Sequence, residues 1–343
     1  MRSSNEGFIL ITVLLVIAVL FPLILAFNAK VQRNLIQAEN FRNAVQATRM
    51  ARSGVEGAIG ILKQDDPTYD SKRDKWAAAF PSLALGSGML NVTIADEDAK
   101  IPINNLVGVV KDSSAQASAG QTQTTASGTA AQSTAGKVVN DQVDPDLNAR
   151  LRALITRLGG KPEVVDALID WLDSNNEVTG SEGAEDDYYR QKGYRCKNGP
   201  LDSLDELSLV KGFDQDLLID KNLKSYLTIA PTDGKVNANT APLLVLQTVL
   251  ETQTVGLPQP IPDGDVQDLA RYRDEHDLKT INDVTAAVKI SQTQAASITP
   301  LVKVNSAYFT VHSRYTIGRV VKNVEALLKR DSSTVTTISW REY

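Results

Sequence analysis

The chain has 343 residues, 42% of them hydrophobic and 22% charged, with a formal net charge of -5. That balance carries no basic footprint for nucleic acid. A single cysteine, Cys196, excludes an intrachain disulfide scaffold, and two histidines, His276 and His312, exclude a histidine-rich metal site.

Residues 8–27 read FILITVLLVIAVLFPLILAF, twenty residues without a charge. A helix of that length matches the ~30 Å hydrocarbon core of a bilayer, and Pro22 inside it is expected to kink it. A cleaved secretory signal is the competing reading. Its apolar core is shorter and ends in an A-x-A-like site, which Ala26-Phe27-Asn28 matches poorly. Asn5-Glu6-Gly7 precedes the apolar run. A polar leader ending in Gly, followed at once by Phe and a long apolar helix, resembles the type IV prepilin leader. The resemblance implies cleavage between Gly7 and Phe8 on the cytoplasmic side, with Glu6 a departure from the usual basic leader. Five residues into the mature chain stands Thr12, where most pilins and pseudopilins carry Glu. A carboxylate in hydrocarbon is costly unless paired, and in that family it pairs with the N-terminal amine of the subunit above. A subunit with nothing above it needs no such group, so Thr12 fits a filament tip.

From Asn28 the pattern turns amphipathic. Val31, Leu35, Ala38, Phe41, Val45, Thr48, Ala51, Val55, Ala58 and Leu62 recur at steps of three or four and predict one helical face. No Pro interrupts the chain between Pro22 and Pro67. A continuous helix over 8–63 would be about 85 Å long. Gly54, Gly57 and Gly60 stand on it at steps of three, costly for a helix and consistent with a face of close approach.

Residues 89–95 (MLNVTIA) alternate like a strand, and 100–106 are expected to pair with them across a turn at Asp96-Glu97-Asp98. Three more strands are predicted at 308–317, 319–328 and 334–340. Residues 111–137, rich in Ser, Ala, Gln, Thr and Gly without an aromatic, read as a disordered linker. Helical signals follow. Asp144-Pro145 is an N-cap with Pro at the first helical position, and Gly159-Gly160 ends the helix it opens. A second helix runs over 162–172, Ser203 and Glu206 form a capping box, and short helices are expected at 216–224, 241–251, 265–275, 281–288 and 292–298.

One constellation carries chemistry. Asp170-Trp171-Leu172-Asp173-Ser174-Asn175-Asn176-Glu177 is followed by Gly183-Ala184-Glu185-Asp186-Asp187-Tyr188-Tyr189. Asp173, Asn175 and Glu177 alternate, so a loop can aim all three oxygens inward, and Glu185, Asp186 and Asp187 can close the shell from the second arm. Six hard oxygens without His or Cys suit calcium rather than zinc; the bland alternative is a solvated acidic loop. No base stands nearby for a catalytic metal, so calcium would be structural. Residues 236–242 and the segments near 269–273 and 281–284 resemble a helix-hairpin-helix, but the tight Gly-x-Gly of a phosphate-binding hairpin is missing and the chain is acidic. Trp171 reads as a core anchor. Cys196, with no His partner, is a weak nucleophile candidate.

The Gly7/Phe8 junction with Thr12, DAKIPINNL (98–106), DWLD (170–173), GAEDDYY (183–189), PLDSLDELSLVKGF (200–213) and 236–242 together resemble the minor pseudopilin K family of type II secretion. The resemblance covers nearly the whole chain; the 111–137 linker is a departure. It implies an α+β fold: a pilin-like long N-terminal helix on a small antiparallel sheet, with a large all-α domain inserted between strands. The implied parts are a leader peptide (1–7), a transmembrane helix (8–27), stalk and first strands (28–110), linker (111–137), inserted α-helical domain (138–304) and the last strands of the sheet (305–343). The implied role is a non-enzymatic cap of the periplasmic pseudopilus tip, in complex with minor pseudopilins I and J. The prepilin peptidase would process the chain and methylate Phe8. The anchor would sit in a Gram-negative inner membrane with the head in the periplasm, where secreted substrate or the outer-membrane secretin are further contacts. Other readings are a minor pilin of a type IV pilus-like system, a membrane-tethered binding module and, least favoured, a DNA-uptake receptor.

Overall fold

The computed structural model describes residues 4–78, 80–108, 141–251, 260–288, 292–332 and 334–343; the expected linker at 111–137 lies outside them. Helix α1 (Ser4–Gln64) runs unbroken through the Gly7-Phe8 junction and Pro22. From Phe8 to Arg42 every residue is exposed. The apolar stretch therefore has no partner among the described residues, as expected of a span that meets lipid.

Further along, Ala47, Ala51, Val55, Ala58 and Leu62 are fully buried, at steps of four, four, three and four. This stripe packs on a five-stranded sheet. The expected face holds over Ala51, Val55, Ala58 and Leu62, but not lower down: Val31, Leu35, Phe41 and Val45 are exposed. Those residues keep helical spacing, but the sheet does not extend to them.

The sheet comprises β1 (Leu83–Leu85), β2 (Gly88–Asp96), β7 (Tyr308–Ile317), β8 (Val320–Asp331) and β9 (Thr334–Glu342), in the order β1-β2-β7-β8-β9. All pairs are antiparallel, with Val92 opposite Ser313, Val311 opposite Ala326 and Ala326 opposite Trp340. Period-2 alternation puts Phe309, Val311 and Tyr315 of β7 and Val324, Ala326 and Leu328 of β8 against α1. Leu62 and Trp76 complete that core.

The chain leaves the sheet after Asp96 and returns at Tyr308. Between them lie α2 (Pro145–Arg157), α3 (Val164–Leu172), α4 (Asp186–Arg190), α5 (Leu243–Glu251), α6 (Asp263–Glu275), α7 (Ile281–Ala287) and α8 (Gln292–Ile298), with short 3-10 and π turns and two parallel two-residue ladders, β3 (Ile101–Pro102) with β4 (Leu227–Thr228) and β5 (Val236–Asn237) with β6 (Val302–Lys303). Asp144 Oδ1 accepts from the amides of Asp146 and Leu147 and caps α2. A second apolar core, from Ala99 to Val302, fills this region.

Residues 100–106 do not form a hairpin with β2. Ile101-Pro102 (β3) instead lies parallel to Leu227-Thr228 (β4), and the edges of β2 are taken by β1 and β7. The turn at 96–98 is diverted by its own carboxylates. Asp96 Oδ2 accepts from Thr240 Oγ1 (2.5 Å), Ser306 Oγ (2.6 Å) and Asn237 Nδ2 (3.2 Å). Asp98 accepts from Lys303 Nζ (2.8 Å) and from the amides of Ala307 (2.6 Å) and Tyr308 (3.0 Å). Acidic side chains that look like a solvated turn in sequence are the buried fastener between the two cores.

Candidate functional site

Helix α3 is buried along its whole length, including Asp166 and Asp170. Charged groups are rarely fully buried unless paired or hydrogen-bonded, and both here hold the following loop by its backbone. Asp166 accepts from the amides of Ser181 (3.1 Å) and Glu182 (3.4 Å) and pairs with Arg152. Asp170 accepts from the amides of Thr179 (2.9 Å) and Ala184 (2.7 Å). Two positions in this loop must lack a side chain. A Cβ on Gly180 would stand 2.2 Å from Asp166 Oδ2, and one on Gly183 would stand 2.5 Å from Asp170 Oδ2.

The loop begins and ends on acids. Asp173 closes α3, and Glu185 occupies the position before α4. Asp170, Asp173 and Glu185, all buried, each place a carboxylate oxygen within 4.8 Å of the others. Among the described residues no Lys or Arg pairs with any of the three. Asp173 Oδ1, both Glu185 carboxylate oxygens and Asn198 Oδ1 are buried without a hydrogen-bond partner. Burial, then the charges of Asp170 and Asp173, push the Glu185 carboxyl up to about 7. Burial, then Asp170 and Asp141, push Asp173 up to about 6, and burial also raises Asp170.

Of the six sequence-predicted ligands the structure brings together Asp173 and Glu185, with Asp170 as the third member of the group. Asn175 Oδ1 is turned to the Glu177 amide (2.6 Å), and the Glu177 side chain is exposed. The alternation that was to aim Asp173, Asn175 and Glu177 inward fails because the segment bends back on itself and is not extended. Asp186 and Asp187 stand outside the group because they form the first turn of α4. Asp186 accepts from the Cys196 amide (3.1 Å) and pairs with Arg190 (2.7 Å), and Asp187 is exposed. Asp170 was legible in principle: with Asp173 it stands at i and i+3, which share one helix face.

Aromatic side chains pack beside the group. Trp171 packs edge-on against Tyr189 (5.0 Å between centroids) and Tyr194 (6.4 Å), so it is the core anchor expected. Cys196 Sγ donates to the Asp170 carbonyl (3.3 Å), and burial pushes the thiol up to about 12. A thiol so held is not a nucleophile at neutral pH.

An apolar helix long enough to be a candidate membrane span, continued into an amphipathic stretch on an antiparallel sheet, defines a pilin-like architecture. Residues 99–232 match the family model described as type II secretion system (T2SS), protein K. The type II secretion system protein K of Pseudomonas aeruginosa is 27% identical over 336 residues, covering 93% of this chain and 86% of that one. The protein of the same name from Aeromonas hydrophila is 24% identical over 339 residues, covering 94% and 92%. The fold resembles a chain in the crystal structure of the GspK-GspI-GspJ complex from enterotoxigenic Escherichia coli, with a TM-score of 0.66, 18% identity and coverage of 90% of this chain and 99% of that one. In sequence and in fold the chain is similar to the type II secretion system protein K proteins, with the family match lying over residues 99–232.

Proposed function

We propose that this subunit caps the tip of the type II secretion pseudopilus as a structural component, in complex with minor pseudopilins I and J. The observation that carries the reading is at Thr12. Its hydroxyl donates to the Phe8 carbonyl of its own helix at 2.9 Å, so the position offers no carboxylate to a subunit above. The inserted helical region beyond the far end of α1 adds bulk where a further subunit would have to stack. Residues 1–7 are the leader, removed between Gly7 and Phe8, residues 8–27 are the span, and the head lies in the periplasm. The solved complex that contains a similarly folded chain together with GspI and GspJ supports these partners. Co-expression of the full chain with pseudopilins I and J, followed by affinity purification from detergent, is expected to recover all three with this chain in single copy. Recovery of the chain alone while I and J still associate would overturn the reading. Intact mass with and without the prepilin peptidase tests the processing: a methylated Phe8 start is expected only with the enzyme.

Within the head, Asp170, Asp173 and Glu185 form a structural calcium site. The support is the set of buried oxygens that find no partner in the protein, all of them hard donors. A bound cation supplies the positive charge that these carboxylates lack. Asp173 and Glu185 then tie the two ends of the loop to each other, and Asp170 ties the loop to α3. A rise in Tm with added Ca2+, abolished by Asp173→Asn, is the expected result.

A further inference from the structure

The loop that follows α1 carries a second acidic group, in the other core of the molecule. Asp65, Asp70 and Asp74 each bring a carboxylate oxygen within 4.8 Å of the others. Asp70 is fully buried, and Asp65 and Asp74 are half-buried. Arg330, projecting from β8 and itself buried, lies between two of them, 3.2 Å from Asp65 Oδ2 and 2.5 Å from Asp70 Oδ2. One guanidinium against three carboxylates leaves two negative charges. Neighbouring bases are engaged elsewhere: Lys72 with Asp274, Arg73 with Asp277, and Lys279 over the Tyr69 ring.

A second observation is independent of that charge count. Asp70 Oδ2 takes both Arg330 and the Ser306 amide, whereas Asp70 Oδ1 is buried with no hydrogen-bond partner. A buried carboxylate oxygen stripped of water needs a donor or a cation. Among the described residues the charged groups at hand are carboxylates and the already committed Arg330, and the Ser71 amide is spent on Asp74 Oδ2 (2.6 Å).

We propose that Asp65, Asp70 and Asp74 form a second site for a hard divalent cation of the calcium type, separate from the group at Asp170. The donors are all oxygens, without imidazole or thiolate, as a hard ion prefers. Three carboxylates, one guanidinium and one dication sum to zero charge. The position gives the ion a task. The Asp70 amide donates to the Val304 carbonyl (2.8 Å), and the Asp70 carbonyl accepts from Asn237 Nδ2 (3.2 Å). An ion on Asp70 therefore locks the end of the stalk helix to the strands that carry the chain back from the inserted region, and holds that region at a set angle on the stalk.

Terbium, a luminescent substitute for calcium, reads the two groups separately in the detergent-solubilised full chain. Trp76 lies two residues beyond Asp74 and packs on Phe309 (5.1 Å), whose ring also meets Arg330 (4.9 Å). Trp171 stands beside Asp170. In an Asp173→Asn chain, tryptophan-sensitised terbium emission is expected to persist, to be displaced by calcium, and to vanish with Trp76→Phe. Adding Asp74→Asn is expected to lower bound calcium by one ion per chain in equilibrium dialysis. Asp74 makes no ion pair with Arg330, so that clamp survives the change, and Asp65→Asn serves as a second variant. The proposal is overturned if the Asp173→Asn chain binds no calcium and shows no Trp76-dependent emission, or if Asp74→Asn and Asp65→Asn both bind as many ions as their parent. Equal binding by the native and Asp173→Asn chains would instead remove the first site and leave this one standing.

Discussion

In the pilin-like body, α1 and strands of nine to twelve residues meet through small and branched side chains at regular spacing: Ala47, Ala51, Val55 and Ala58 against Val311, Val324 and Ala326. The inserted region has helices of five to thirteen residues, and its loops are held by buried carboxylates that accept from backbone amides, as Asp166 and Asp170 do. Long periodic elements derive stability from area removed from water. Short helices present too little face for that alone, and polar fasteners then decide how they are arranged. The seam between the two regions uses the second method, with Asp70, Asp96, Asp98 and Arg330 all buried in it.

The largest test of this contrast is at the seam. With divalent ions chelated, Arg330→Ala leaves Asp70 as a buried charge without a counter-ion, and breaking such a pair costs about 3–5 kcal/mol. Hydrogen exchange should accelerate first in β7, β8 and residues 65–78, with α3 and α5 protected. Equal acceleration everywhere would show the two cores to be one cooperative unit.

The polar fasteners also titrate. With divalent ions chelated, Glu185 and Asp173 have folded pKa values of about 7 and about 6, above their unfolded values. The native state then binds more protons than the unfolded one, and stability falls as pH rises through 6 to 7. Saturating calcium holds both groups ionised and should flatten that fall. Melting curves from pH 5 to 8 with chelator and with calcium check it, and an unchanged slope would refute the metal reading of the site.

Within the body the packing rule can be tested by two neighbouring glycines. A Cβ at Gly54 would stand 2.2 Å from Ser313 Oγ and 2.9 Å from Val92 Cγ2, so Gly54→Ala should destabilise by ~1–3 kcal/mol through overpacking. At Gly57 nothing lies within 4 Å, and Gly57→Ala should stabilise by ~1 kcal/mol through helix propensity. Opposite shifts in denaturation midpoint are expected. The smallest effect is Asp144→Ala, which removes the cap of α2 and should cost ~1 kcal/mol, read in the same way.

Much of this molecule is legible from local pattern. The span, the stalk helix, β2 and the three C-terminal strands follow from hydrophobic period, and the start of α2 from Asp144-Pro145, because each needs only neighbours along the chain. The Gly54-Gly57-Gly60 series was only partly readable: spacing shows that a face lacks side chains, yet only the packed sheet shows that Gly54 is forced and Gly57 is free. The acidic loop illustrates the limit. Its residue types named a hard-cation chemistry, but which oxygens converge depends on where α3 ends and α4 begins, and α4 takes Asp186 and Asp187 away.

A membrane-length helix, an amphipathic stalk, a strand-rich C-terminus and an oxygen-only acidic motif can all be read from the residues in order, since period and composition are properties of the chain. Packing in three dimensions makes Asp96 and Asp98 a buried fastener, joins Asp170 to Asp173 and Glu185, and gathers Asp65, Asp70 and Asp74 beside Arg330. These groups come from segments up to 265 residues apart, and their contacts are set by how two cores close on each other, a relation that no local period encodes.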